Sequence, residues 1–364
     1  MENRKTIDWL LFLTTLIIVL FGFVMVYSSS YPDGYYNFQG NGFFFLKKQI
    51  IAGVLGFVAM IVTSFIDYRI YRKLNKIFLG VILLAGFSLF TAAGTTANGA
   101  QRWVSIGALS IQPSDIIKVT AIVYMAYFLE KNNDFIKKFG RGYIPVLAMI
   151  GMFAGIIVIQ NDLSTSFVLA LTLGVMYLCA GANILHVFLT IMIGASGIAY
   201  FIVNEPFRKL RLISFLDPFE YKLSIGWQVV QSIYALGTGG LFGLGLGKSR
   251  QKFFYIPESY NDFIFSIIGE ELGFIGCFIV ILFYIVIIWR GFRIAINAND
   301  LFGSFLAVGI TALIGIQALV HIAVVTSSMP PTGIALPFIS AGGTSLMIFM
   351  AAMGILLNIS KNSI

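Results

Sequence analysis

Charge is what this sequence has least of. Asp, Glu, Lys and Arg make up only 11% of its 364 residues, against 58% hydrophobic side chains. A soluble globule of this length needs far more polar cover, so lipid must be the solvent over most of the chain. A mean hydropathy of +0.90 agrees. Cysteine is nearly absent too: Cys179 and Cys277 each sit inside an apolar run. Two such thiols exclude a disulfide framework and a metal knuckle. The two histidines, His186 and His321, stand far apart with no HExxH spacing, which excludes that class of zinc site. No internal repeat or low-complexity stretch divides the chain, so 1–364 reads as one membrane domain.

The net charge of +8 comes from basic residues in short clusters between apolar runs. That pattern fits topology signals and anionic lipid headgroups, and excludes a nucleic-acid face. The apolar runs predict an all-α polytopic protein of about ten transmembrane helices, each long enough to cross ~30 Å of hydrocarbon. The expected spans are Trp9–Val26, Ile50–Ile66, Ile77–Ala93, Asp115–Leu129 and Ile144–Ile159, then a Ser166–Val203 stretch broken at Gly181-Ala182-Asn183. Phe263–Trp289, Phe302–Val325 and Ile334–Ile359 complete the set, with one long outer loop, 204–261. The first span lacks a small-x-small cleavage pattern and reads as a retained helix. Arg4 and Lys5, the Arg69–Lys76 cluster, the Lys131–Arg141 cluster, Arg290, Arg293 and Lys361 all fall on one side. The positive-inside rule then expects both termini in the cytoplasm.

The opposite face carries the residues with chemistry in them. The run Gly237–Ser249 is glycine-rich, but a Walker A loop would need glycine at Phe242. Two readings stay open for it: a tightly packed loop using positive φ angles, or backbone amides cradling a diphosphate. Ionisable residues at membrane depth cost about 2.5–3.5 kcal/mol each on insertion scales. Asp115 and Lys118 lie three apart on one helix face, where they can pair; Lys118 could also meet phosphate. Glu270 and Glu271 are expected to pair with cations, and His321 to hydrogen-bond a neighbouring helix. The most specific segment is Tyr255-Ile256-Pro257-Glu258-Ser259-Tyr260-Asn261-Asp262-Phe263-Ile264-Phe265. It puts Asp262 where the chain re-enters the membrane, at the expected N-cap of a helix. The residue types leave two readings, a capping carboxylate or a general base facing a sugar hydroxyl.

At these residues the chain resembles the FtsW/RodA/SpoVE family, the SEDS proteins of shape, elongation, division and sporulation. The resemblance runs through Asn98–Trp103, Gln112-Pro113-Ser114-Asp115 with Lys118, Gln160-Asn161-Asp162-Leu163, and Arg211 followed by Phe215-Leu216-Asp217-Pro218. It continues through Gln228, Gln231-Ser232, Gly239–Gly243, Ser249–Lys252, the Asp262 segment, Gly269–Gly273 and Pro337–Leu346. The Phe-Leu-Asp-Pro and Ser-Arg-Gln-Lys-Phe-Phe-Tyr stretches look closest to the division and sporulation branch. The chain departs from the family pattern at Asp115, Asn161, Ser164, Tyr260, Asn261, His321 and Ala341.

The resemblance implies a peptidoglycan glycosyltransferase in the bacterial cytoplasmic membrane. It would polymerise lipid II, an undecaprenyl-diphosphate-linked disaccharide peptide, for division, cell shape or spore formation. The implied partners are a class B penicillin-binding protein, other divisome or sporulation proteins, and membrane lipids. The family's essential aspartate maps onto Asp262. Candidate substrate-binding residues are Arg102, Trp103, Gln112, Lys118, Asp162, Arg250, Lys252, Glu258 and Ser340. Arg102, Lys118, Arg250 and Lys252 are the ones expected to hold the departing diphosphate. A divalent cation, magnesium or manganese, is compatible with such chemistry and is not shown by the sequence. The competing readings are a lipid flippase or transporter and a non-catalytic scaffold of the cell-wall machinery.

Overall fold

The computed structural model describes residues 7–88, 94–97, 100–106 and 109–362; the side chains of 87–102, 105–110, 198, 207 and 208 lie outside that description. Helix α1 spans Trp9–Asn37, capped by Asp8, whose carboxylate accepts from Leu11 N at 3.0 Å. Its 29 residues reach about 43 Å at 1.5 Å per residue, longer than the hydrocarbon is thick. Leu11, Ile18, Gly22, Met25 and Ser29 face the interior, while Leu10, Leu13, Ile17, Leu20 and Val24 stay exposed. That exposed apolar stripe is what a lipid-facing surface looks like.

The chain continues through α2 (Phe44–Phe65), the short α3 (Arg69–Lys73) and α4 (Asn75–Ser88). A three-stranded antiparallel sheet follows, β1 (Gly94–Ala97), β2 (Ala100–Ile106) and β3 (Leu109–Ile111), in that spatial order. Then come α5 (Pro113–Lys131), α6 (Ile144–Ile159), α7 (Leu163–Cys179) and α8 (Ile184–Asn204). The long loop between α8 and α11 contains α9 (Pro206–Leu216) and α10 (Trp227–Gly239). Helices α11 (Ile264–Ile296), α12 (Leu301–Val325) and α13 (Gly343–Lys361) complete the chain. Among the described residues, seven helices are long and apolar enough to cross a membrane, and two shorter apolar segments fall in α4 and α7. With α5, which carries the buried Asp115–Lys118 pair, they make the expected ten. The protein is a multi-pass, all-α membrane protein with a small three-stranded sheet.

Two expected boundaries move. The first helix runs eleven residues past Val26, because Tyr27–Asn37 keeps helical geometry through Pro32. The last helix begins at Gly343, not near Ile334. The segment 334–342 is irregular yet buried, with Ile334, Leu336, Phe338, Ile339 and Ser340 all shielded. Two prolines, Pro330 and Pro331, lead into it and Pro337 lies within it, each lacking the N–H that a helix needs. Hydropathy does not distinguish such a stretch from a helix.

Helices pack closely at small residues, as expected where lipid offers no hydrophobic drive between helices. α13 lies against α2, where Thr63 Oγ1 donates to Ala351 O at 2.9 Å. At one end of the bundle, Arg69 pairs with Asp300 at 3.1 Å and Arg72 with Glu130 at 2.8 Å.

A Cβ placed on Gly22 would fall 2.5 Å from Phe338 O and 2.9 Å from Ile339 Cα. Gly22→Ala is therefore expected to destabilise the protein by about 1–3 kcal/mol through overpacking against backbone. Gly80, with nothing within 4 Å of such a Cβ, is expected to accept alanine without loss. Thermal unfolding of both variants in detergent checks the pair; equal effects would contradict the packing described.

Candidate active site

The segment 331–342, buried over most of 334–340, gathers polar side chains from several helices. Backbone buried away from water must find partners, and the partners here come from α2, α11 and α12. His321 Nδ1 on α12 lies 2.7 Å from Ile334 O. Gln317, one turn deeper, donates from Nε2 to Ala335 O at 2.9 Å and accepts from Lys118 Nζ at 2.9 Å. Lys118 also pairs with Asp115 at 2.8 Å, both side chains about 95% buried. Gln49 of α2 donates to Ser340 O and accepts from Gly342 N, both at 3.1 Å. Tyr284 of α11 donates to Pro337 O.

The same segment holds the Asp262 strand in place. Ser340 Oγ donates to Asn261 O at 2.7 Å and accepts from Leu336 N at 2.8 Å. Ala341 N donates to Tyr260 O at 3.0 Å. Asp262 itself is half-buried, its Oδ2 within 3.2 Å of where a Cβ on Gly333 would lie. Arg211 of α9 reaches Pro331 O at 3.5 Å, two residues from Gly333, so a guanidinium lies in the same neighbourhood. Asp262 is not the N-cap: α11 starts at Ile264, with Phe263 at the cap and no side chain accepting there.

Beside Asp262 a cavity of about 210 Å³ is lined by Asp33, Asn37, Phe254, Glu258, Ser259 and Tyr260, among others. Burial, reinforced by the negative charges of Asp33, Glu258 and Asp262, holds the Tyr260 phenol above its ordinary pKa. It stays a neutral donor, hydrogen-bonded to Asp33. Glu258 is exposed at a φ of +48°. Among the described residues, no three or more His, Cys, Asp or Glu side chains converge on a point. The donor set does not fit a magnesium or manganese ion caged by protein ligands alone.

The glycine-rich loop turns out to repair a helix. α11 breaks at Gly273, whose φ of +68° interrupts its hydrogen-bond ladder. The freed carbonyls of Glu270 and Glu271 are taken by Leu244 N and Gly245 N, both at 2.9 Å. The freed amides of Phe274 and Ile275 donate to Gly240 O at 2.8 Å and Leu241 O at 3.2 Å. Loop amides expected to cradle a diphosphate are thus already engaged, and the packing reading prevails.

The glutamate side chains lock the same loop. Glu271 accepts from Lys252 Nζ at 2.8 Å and from Ser28 Oγ at 2.7 Å. Glu270 accepts from Ser249 Oγ and from Arg250 N, the latter at 2.9 Å. Lys252 also donates to Gly247 O at 2.8 Å, and it lines the cavity beside Tyr260. Arg250, by contrast, is exposed.

The remaining candidates divide. Asp162 caps α7, accepting from Thr165 N at 3.1 Å and Thr165 Oγ1 at 2.8 Å. Gln112 sits at the N-cap of α5 without a capping bond from its side chain. Trp103 lies on β2 opposite Thr95. Arg102 is on the same strand, its side chain outside the described residues. Sequence reasoning missed Gln49, Gln317 and Ser28. The first two had a signal: a carboxamide inside an apolar span must find partners.

Glu271→Ala would leave the Lys252 ammonium buried and unpaired, and is expected to cost about 3–5 kcal/mol. Pairing Glu271→Leu with Lys252→Met should recover most of that loss in a thermal melt. A double variant no more stable than Glu271→Ala would contradict the ion pair's structural role.

Comparison with known proteins agrees with this architecture. Residues 8–364 match the family profile FTSW_RODA_SPOVE, described as a cell cycle protein. The chain is 44% identical to stage V sporulation protein E of Bacillus subtilis (strain 168), covering 100% of both. It is 40% identical to the probable peptidoglycan glycosyltransferase FtsW of Geobacter sp. (strain M18), covering 99% of this chain and 98% of that one. A solved chain from a peptidoglycan synthase complex, described as coordinating polymerization and crosslinking, superposes with a TM-score of 0.80 at 25% identity, covering 98% of each. The rod shape determining protein RodA of Thermus thermophilus shares the fold with a TM-score of 0.73 at 23% identity, covering 100% of this chain and 99% of that one. A polytopic bundle with two broken helical segments near one acidic residue, matched over almost its full length, belongs to the FtsW/RodA/SpoVE family.

Proposed function

We propose that the protein is a peptidoglycan glycosyltransferase that polymerises lipid II, with Asp262 as general base. The observation that carries this reading is that Asp262 is half-buried just before α11 and its flanking backbone is tied down at Tyr260 and Asn261. A carboxylate held in a fixed position is what proton abstraction needs. The names of the FtsW relatives support the substrate class.

The donor's sugar is α-linked to a diphosphate and the product is β-linked, so one direct displacement with inversion suffices. Asp262 takes the proton from the acceptor hydroxyl as its oxygen bonds to the anomeric carbon. The bond to the diphosphate breaks, and undecaprenyl diphosphate leaves with the electron pair. Arg250 on the exposed outer loop, with Arg102, is placed by this reading to stabilise that charge. Lys118, tied to Asp115 and Gln317, acts instead through the buried segment that holds Asp262.

An even number of spans puts both termini on one side. The cation clusters at that end make it cytoplasmic, and Asp262 then faces outward. A class B penicillin-binding protein that cross-links the product is the proposed partner, in division or spore formation; the likeness to a chain from a peptidoglycan synthase complex supports it.

Purified protein with lipid II tests this directly. Asp262→Asn is expected to lower the polymerisation rate at least a hundredfold, as loss of a general base does, with the melting temperature unchanged. Glycan chains formed at the wild-type rate by Asp262→Asn would overturn the reading in favour of a transporter or scaffold.

A further inference from the structure

The larger cavity lies at the opposite end of the bundle. It has a volume of about 310 Å³ and is lined by Asp8, Trp9, Arg290, Arg293, Asn297 and Ser360, among others. It opens where the start of α1 meets the ends of α11 and α13. Its charges do not balance. The Asp8 carboxylate is fully used, pairing with Arg290 at 2.6 Å and capping α1 through Leu11 N. Arg290 also lies 5.4 Å from the Trp289 ring. Arg293 has no carboxylate partner among the described residues and is exposed at the rim. One guanidinium therefore faces a polar cavity without a counter-charge, beside the amide of Asn297.

What borders the cavity identifies the counter-ion. Trp9 is 60% exposed and Trp289 53% exposed, one on each helix at the cavity's level. Indole rings of this kind settle at the headgroup layer. From that level an apolar stripe descends on each helix: Leu10, Leu13 and Ile17 on α1, with Ile285 and Phe278 on α11, all exposed. A soluble anion would have no use for those stripes. A phosphodiester with acyl chains uses both parts, its phosphate at Arg293 and its chains along α1 and α11.

We infer that this cavity is a binding site for the phosphate headgroup of an anionic phospholipid, with Arg293 as its principal contact. Basic pockets between membrane helices are suited to such headgroups. The assignment needs only that α1 and α11 cross a bilayer, and does not depend on the polymerase reading. On the topology proposed above, the lipid belongs to the cytoplasmic leaflet.

The test uses the full chain in phosphatidylcholine nanodiscs titrated with phosphatidylglycerol, with co-purifying lipid counted by native mass spectrometry. Arg293→Gln is expected to lower the preference for phosphatidylglycerol about fivefold, the effect of roughly one interfacial charge. Its melting temperature in phosphatidylcholine alone should match wild type, since Arg293 is exposed. Lys248→Gln, which removes an exposed charge at the other end, should leave the preference unchanged. Three results would overturn the site. Arg293→Gln could keep wild-type preference, Lys248→Gln could lose as much, or inorganic phosphate could displace the lipid as well as phosphatidylglycerol does.

Discussion

Non-helical backbone inside a membrane protein survives only when every buried N–H and C=O finds a partner within the protein. The segment 331–342 is where this chain meets that demand. Gln49 of α2, Tyr284 of α11, and Gln317 and His321 of α12 each bring a polar group to its main chain. These side chains explain why ionisable and amide residues interrupt otherwise apolar spans. Asp115 and Lys118 belong to the same chain of contacts, one bond removed, through Gln317. The segment passes its rigidity on to Asn261 through Ser340 and to Tyr260 through Ala341. Asp262 follows directly, so its position depends on that network.

A second break faces the first across the re-entry of α11. At Gly273 two carbonyls and two amides lose their helical partners, and the loop 240–245 supplies all four. The Glu270 and Glu271 side chains then clamp the loop through Ser249, Ser28 and Lys252. The end with the two breaks is thus irregular but closely bonded. At the opposite end helices are joined by ion pairs such as Arg72–Glu130. That basic end is suited to meeting lipid headgroups.

Much of this was legible in the sequence, because hydropathy reports directly on which solvent a segment meets. The ten spans, the break near Gly181 and the pairing of Asp115 with Lys118 all follow from patterning and spacing. The irregular 334–342 segment was not, since a buried loop and a buried helix are equally apolar. The glycine run was ambiguous for a related reason. Positive φ at Gly243, Gly245 and Gly247 suits either a phosphate nest or a helix patch, and only the partners of its amides decide. Asp262 was open to two readings because capping and general-base carboxylates share a residue type; α11 starts two residues later, with Phe263 at its cap. Which cation Glu271 meets was not legible, because Lys252 lies nineteen residues away in sequence and reaches it only after the loop folds back.

The central claim is that the buried segment, through Ser340, holds the carboxylate of Asp262 in its working position. The most direct measurement is the lipid II polymerisation rate of Ser340→Ala compared with Ser340→Thr, which keeps a hydroxyl. A displacement of about 1 Å at a reacting group can cost on the order of a hundredfold in rate. The account predicts a fall of at least tenfold for alanine, with the substrate KM little changed and activity largely kept by threonine. Alanine working as fast as wild type would contradict it.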